Sequence, residues 1–169
     1  MDDVTRLEVH NPSEDLYQCV VRQRGERALK IIRDYYDVVD VNFASNDAMG
    51  RTLMHRIAEL DMTNVASELV KHPKIDLNKC TIYGSSQIYY AAEQGTVEVA
   101  KILARDPRTN VNLVRSGGQY PLWRAVAKNH NIIVKWLLVL RSDINCNIVT
   151  KGSTGTDALQ EAIKIKTMS

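Results

Sequence analysis

The side chains with the most chemistry to offer in this 169-residue sequence are four histidines, three cysteines and a run of arginines. His55 could act as a general base if a nucleophile stood beside it, but no serine or cysteine is near it in sequence. His10, His72 and His130 form no H-E-x-x-H motif and no i, i+4 pair, so no metal site is expected. Cys19, Cys80 and Cys146 are odd in number and far apart, with no C-x-x-C pair. That spacing argues against a disulfide framework and a zinc cluster, and reads as reduced thiols. Arg115, Ser116, Gly117, Gly118 and Gln119 resemble a phosphate loop only in their glycines. They lack the lysine-serine ending of a P-loop and read as the turn before a helix. Arg22, Arg24, Arg27, Lys30 and Arg33 form the densest basic cluster. Such a patch suits an acidic peptide, a membrane surface or nucleic acid. No aromatic residue is interleaved to stack bases, so the cluster reads as a solvated face and nucleic acid is not expected. No catalytic residue and no cofactor is assigned.

What must position these groups is a folded chain. The sequence is 44% hydrophobic and 25% charged, with a net charge of +2, which suits one globular domain rather than disorder. Its start, with Asp2 and Asp3, is polar and acidic and unlike a signal peptide. The most apolar run, residues 132–140, contains Lys135 and is far shorter than the roughly 20 residues a membrane helix needs. A cytoplasmic or nuclear protein without a membrane span is the expectation.

The organising feature is a repeat. Gly50, Gly84 and Gly118 are 34 residues apart (84 − 50 and 118 − 84), and a looser copy starts at Gly155. Asp40-Val41-Asn42, Asp76-Leu77-Asn78 and Asn110-Val111-Asn112 repeat at the unit ends. A period in the low thirties with two helical patterns per unit marks a helical solenoid. Apolar spacing predicts helix pairs at about 53–60 and 62–71, 87–93 and 97–105, and 121–128 and 131–141. An incomplete pair spans 13–37, broken at Gly25, and a last helix lies at about 157–166 with Asp157 as its N-cap. Each helix is only two to three turns long and depends on its neighbours for stability. Ala58, Ala91, Ala92 and Ala125 allow successive first helices to approach closely.

These residues resemble the ankyrin repeat family. Thr52 and His55 keep part of its T-P-L-H motif in one unit. Ala91, Ala92, Gly95, Val99, Ile102 and Leu103 keep its pattern in the next, and Pro121, Leu122 and Ala125 in the third. Tyr89 and Trp123 replace the family's histidine. The resemblance implies an all-α solenoid of stacked helix-turn-helix units with β-turn fingers. Residues 1–11 would be a loose leader and residues 12–169 a single domain, with units at about 12–49, 50–83, 84–117, 118–154 and a partial 155–169. The final part is either a terminal half-repeat acting as a cap or the edge of a longer chain.

The family's His holds its turn by bonding backbone, so His55 is expected to be structural, with Tyr89 and Trp123 as packing residues. The family also grips protein partners at finger tips and along a concave groove. By register the tips are Asn46, Asp47, Met49 and Arg51; Thr81, Ile82, Tyr83 and Ser85; and Arg115, Ser116, Gln119 and Tyr120. The groove positions are Glu59, Leu60, Glu93, Gln94 and Lys128. The implied function is a non-catalytic protein-binding module or scaffold. The alternative is the targeting domain of a larger enzyme or effector whose catalytic part lies elsewhere.

Overall fold

The computed structural model describes residues 11–44 and 48–146. Residues 1–10 of the expected leader, Asn46, Asp47, the unit beginning at Gly155 and the helix expected over 157–166 lie outside the described residues. Within them the chain folds into eight helices: α1 Pro12–Val21, α2 Gly25–Asp34, α3 Leu53–Glu59, α4 Thr63–Leu69, α5 Gln87–Gln94, α6 Val97–Arg105, α7 Pro121–Ala127 and α8 Asn131–Leu140. The odd-numbered helices pack in one row and the even-numbered helices in a second, with each pair joined by a tight turn. The alanines predicted to sit between the inner helices, Ala58, Ala91, Ala92 and Ala125, are fully buried. One continuous apolar cluster runs through the stack from Leu16 to Leu137. No unit encloses a core of its own, so each stabilises its neighbours.

Local chemistry sets the helix ends. Asn11 caps α1, its side-chain oxygen accepting from the Ser13 and Glu14 amides at 3.1 and 3.4 Å. Pro12 and Pro121 open α1 and α7, where a missing N–H costs nothing. Inner helices end on a residue with positive φ: Gln23, Asp61, Gly95 and Asn129. Gly95 is held to glycine twice over. Its φ is +80°, and a Cβ there would lie 2.6 Å from the His130 ring.

Polar side chains repeat at the joints between units. Asn42, Asn78 and Asn112 each donate Nδ2–H to a carbonyl of the next unit, on Lys74, Arg108 and Asp143, at 2.7, 2.8 and 2.9 Å. Their side-chain oxygens accept from the amides of Asp76, Asn110 and Asn145 at 2.7, 2.7 and 2.8 Å. The repeated asparagine seen in sequence is therefore a clamp. Behind it, Arg108 donates to the Val70 carbonyl at 2.5 Å and Arg141 to that of Thr109 at 2.7 Å. Asp106 and Asp143 orient these guanidiniums, and that hydrogen bonding holds both carboxyls below their ordinary range.

Candidate partner-binding surface

Turns ahead of the inner helices form fingers, and the site begins with what holds them. In the first clamp His55 Nδ1 accepts from the Thr52 amide at 3.1 Å. That acceptance places the ring proton on Nε2, which donates to the Ser85 carbonyl at 3.0 Å. One buried imidazole thus ties the second unit's turn to the third's. The Thr52 hydroxyl lies 2.8 Å from Nδ1, a pairing that on a surface would suggest nucleophile and base. Here Thr52, His55, Ser85 and Ser86 are all buried, and both ring nitrogens are engaged.

The next unit places Tyr89 in the same position and solves the problem differently. Its phenol is buried and donates to Gln119 Oε1 at 2.9 Å. Arg115 and Arg124 lie against its ring, with guanidinium carbons 5.7 and 5.9 Å from the centroid. Burial pushes the phenol pKa up, partly offset by Arg124 and Arg115. Trp123, one unit on, is half-buried and packs against the core.

Backbone bonds string the fingers together. The Ile82 amide donates to the Met49 carbonyl at 3.1 Å, and the Ser116 amide to the Tyr83 carbonyl at 2.9 Å. Isolated antiparallel bridges, Ala44 with Thr52, Cys80 with Ser86 and Arg115 with Gln119, close the finger bases. At Gly84 the φ is +75°, and any Cβ would lie 3.2 Å from the Val114 carbonyl oxygen. Close finger packing and the turn geometry therefore both require glycine there.

This geometry sorts the expected contact residues. Met49, Ile82 and Tyr83 are exposed at 39%, 66% and 48%, large apolar side chains on linked fingers. Val114, which register reading passed over, joins them at 44%. Ser85 is a correction: it is only 4% exposed because the His55 clamp and Thr81 draw it into the turn. A partner cannot reach its side chain. Tyr120, expected at a tip, is half-buried against the core as the residue that precedes Pro121. Arg115 and Gln119 are half-buried and bonded to each other at 3.1 Å in the Tyr89 cluster.

Along the exposed side of the inner helices the charges largely cancel. Glu59 accepts from Arg56 at 2.8 Å and Arg51 at 3.4 Å, and Glu93 pairs with Arg124. Arg56 also donates to the Tyr17 hydroxyl at 3.0 Å. Sequence reading missed Arg56 and Arg124, although they share a register with Tyr90 at steps of 34 (90 − 56 and 124 − 90). Gln94 and Lys128 remain exposed at the helix ends. The basic cluster divides: Arg22, Arg24 and Arg27 line one cleft, while Lys30 pairs with Asp34 at 3.3 Å and Arg33 lies outside the cleft. Cys19, at that cleft, is buried, and burial raises its pKa despite Arg27 beside it. A buried, protonated thiol is a poor nucleophile.

Among the described residues no group of three or more His, Cys, Asp or Glu could hold a metal ion, and no helix is long and apolar enough to cross a membrane. No curated protein matches the sequence. A family model described as ankyrin repeats, three copies, matches residues 88–166. Ankyrin repeats are generally protein–protein interaction modules and typically non-catalytic. Residues 88–166 are thus similar to ankyrin repeats, and the same alternation of odd- and even-numbered helices continues from residue 88 back to Pro12.

Proposed function

We propose that the chain holds a protein partner against its finger tips, with Met49, Ile82, Tyr83 and Val114 as the apolar anchor and Gln94 and Lys128 as polar flanks. The observation that carries this reading is the exposure of four large apolar side chains on one set of linked fingers. Apolar and aromatic anchors surrounded by polar groups are the usual source of interface energy. The groove arginines and glutamates satisfy one another and set the rim's shape rather than its affinity. The chain acts by binding rather than by catalysis, because its one well-placed imidazole is spent on a buried turn clamp. Its place of action is the cytoplasm or nucleus.

The test is capture of the cellular partner by the wild-type chain and by an Ile82→Ser, Tyr83→Ala double variant. The variant is expected to lose the partner while its thermal unfolding stays close to wild type. Full retention of the partner by the variant overturns the assignment of the finger strip.

A further inference from the structure

Arginines in the later units are committed. Arg51 and Arg56 hold Glu59, Arg124 holds Glu93, Arg108 and Arg141 hold Asp106 and Asp143, and Arg115 bonds Gln119. Arg105 lies over the Trp136 ring. The first unit differs. Arg22, Arg24 and Arg27 are exposed and make no ion pair with a carboxylate among the described residues, yet all three line one small cleft with Asp15, Gln18 and Cys19. The N-cap of α2, Arg24, makes no side-chain capping bond. The first-turn amides of that ten-residue helix therefore begin beside the cleft without a side-chain acceptor.

We propose that this cleft receives a phosphorylated side chain of a protein partner. Planar guanidiniums bind phosphate oxygens bidentately, and clustered arginines are a recurrent means of reading phosphorylated segments. Asp15, the one acid lining the cleft, leaves the three arginines with a net charge of +2, suited to one dianion. The charge distribution disfavours the other polyanions. A nucleic-acid backbone or an anionic bilayer engages a track or sheet of positive charge. Here Lys30 is neutralised by Asp34, Arg33 stands off the cleft, and Glu26 interrupts the surface. No aromatic side chain lines the cleft to stack a base. The inference is independent of the finger strip.

The experiment titrates N-acetyl-phosphoserine amide into the isotopically labelled full chain and follows amide NMR shifts. Saturable shifts are expected at Gly25, Glu26 and Arg27, and none from N-acetyl-serine amide. Loss of a charge-assisted hydrogen bond predicts about tenfold weaker binding for Arg24→Gln and for Arg27→Gln. Arg33→Gln, which removes the same charge outside the cleft, is expected to stay within about twofold. The Ile82→Ser, Tyr83→Ala variant is expected to respond like wild type, which separates this site from the fingers. Absence of saturation overturns the proposal, as does an equal loss in Arg33→Gln. So does tighter binding of a single-stranded oligonucleotide, or of phosphatidylserine vesicles, that survives Arg24→Gln and Arg27→Gln.

Discussion

The joints and the finger tips are built from the same repeat and treat their side chains in opposite ways. At the joints, Asn42, Asn78 and Asn112 each use both ends of the amide across a unit boundary, and His55 anchors its ring on Thr52 of its own turn and reaches Ser85 of the next unit with Nε2. At the tips, Met49, Ile82, Tyr83 and Val114 keep 39%, 66%, 48% and 44% of their surface exposed. A solenoid has no central core, so its units are held by what crosses each boundary. Side-chain surface left outside those crossings is available for recognition. The difference predicts large stability effects at the joints and small ones at the tips.

The largest effect is expected from His55→Ala. It removes a buried side chain, leaves the Thr52 amide unpartnered and leaves the Ser85 carbonyl with the Thr81 amide alone, a loss of about 2–4 kcal/mol in denaturant unfolding. A loss below about 0.5 kcal/mol would show that the two turns are not joined through this ring. Asn78→Ala comes next. It deletes two bonds across the boundary at a more exposed site, for an expected cost of about 1–2 kcal/mol. Hydrogen exchange should quicken on both sides of that joint, in residues 76–78 and 108–110. Exchange confined to one side would mean the asparagine serves only its own loop.

Smaller again is the alkaline response of Tyr89. Its phenol pKa is raised above 10.0, first by burial. The corresponding stability is fully present below pH 10 and is lost as pH rises through the higher folded value. Tyr89→Phe should remove this alkaline sensitivity at a cost of about 1 kcal/mol at neutral pH, from the bond to Gln119. An unchanged alkaline transition in Tyr89→Phe would assign the effect to other groups. The smallest change is expected at the tips: Ile82→Ser with Tyr83→Ala should cost no more than about 1 kcal/mol. A cost matching that of His55→Ala would erase the distinction between joint and tip.

Much of the fold was legible beforehand. The 34-residue period, the apolar spacing and the positions of Gly84 and Pro121 put the described helices within two or three residues of where they lie. Several boundaries are written locally: a capping Asn11, a proline at the first position of α1 and α7, a residue with positive φ after each inner helix. The candidate site was less legible. Register reading grouped Ser85 with Tyr83 because both belong to one turn, and it cannot tell which side of a turn faces the clamp of the preceding unit. It placed Tyr120 at a tip for the same reason. It passed over Val114, whose exposure follows from how neighbouring fingers pack.

The periodic part of this protein is written in its sequence: the unit, its two helices, its turns, and the asparagines that recur at the unit ends. Hydrophobic spacing and backbone preference act over a few residues, and a linear chain carries them in full. Only the tertiary structure decided which polar groups are spent and which are free. His55 meets Ser85, Tyr89 meets Gln119, and Arg124 meets Glu93 across about thirty positions of sequence. Those pairings depend on the stacking of one unit on the next, and that stacking separates the clamps from the exposed strip at Met49, Ile82, Tyr83 and Val114.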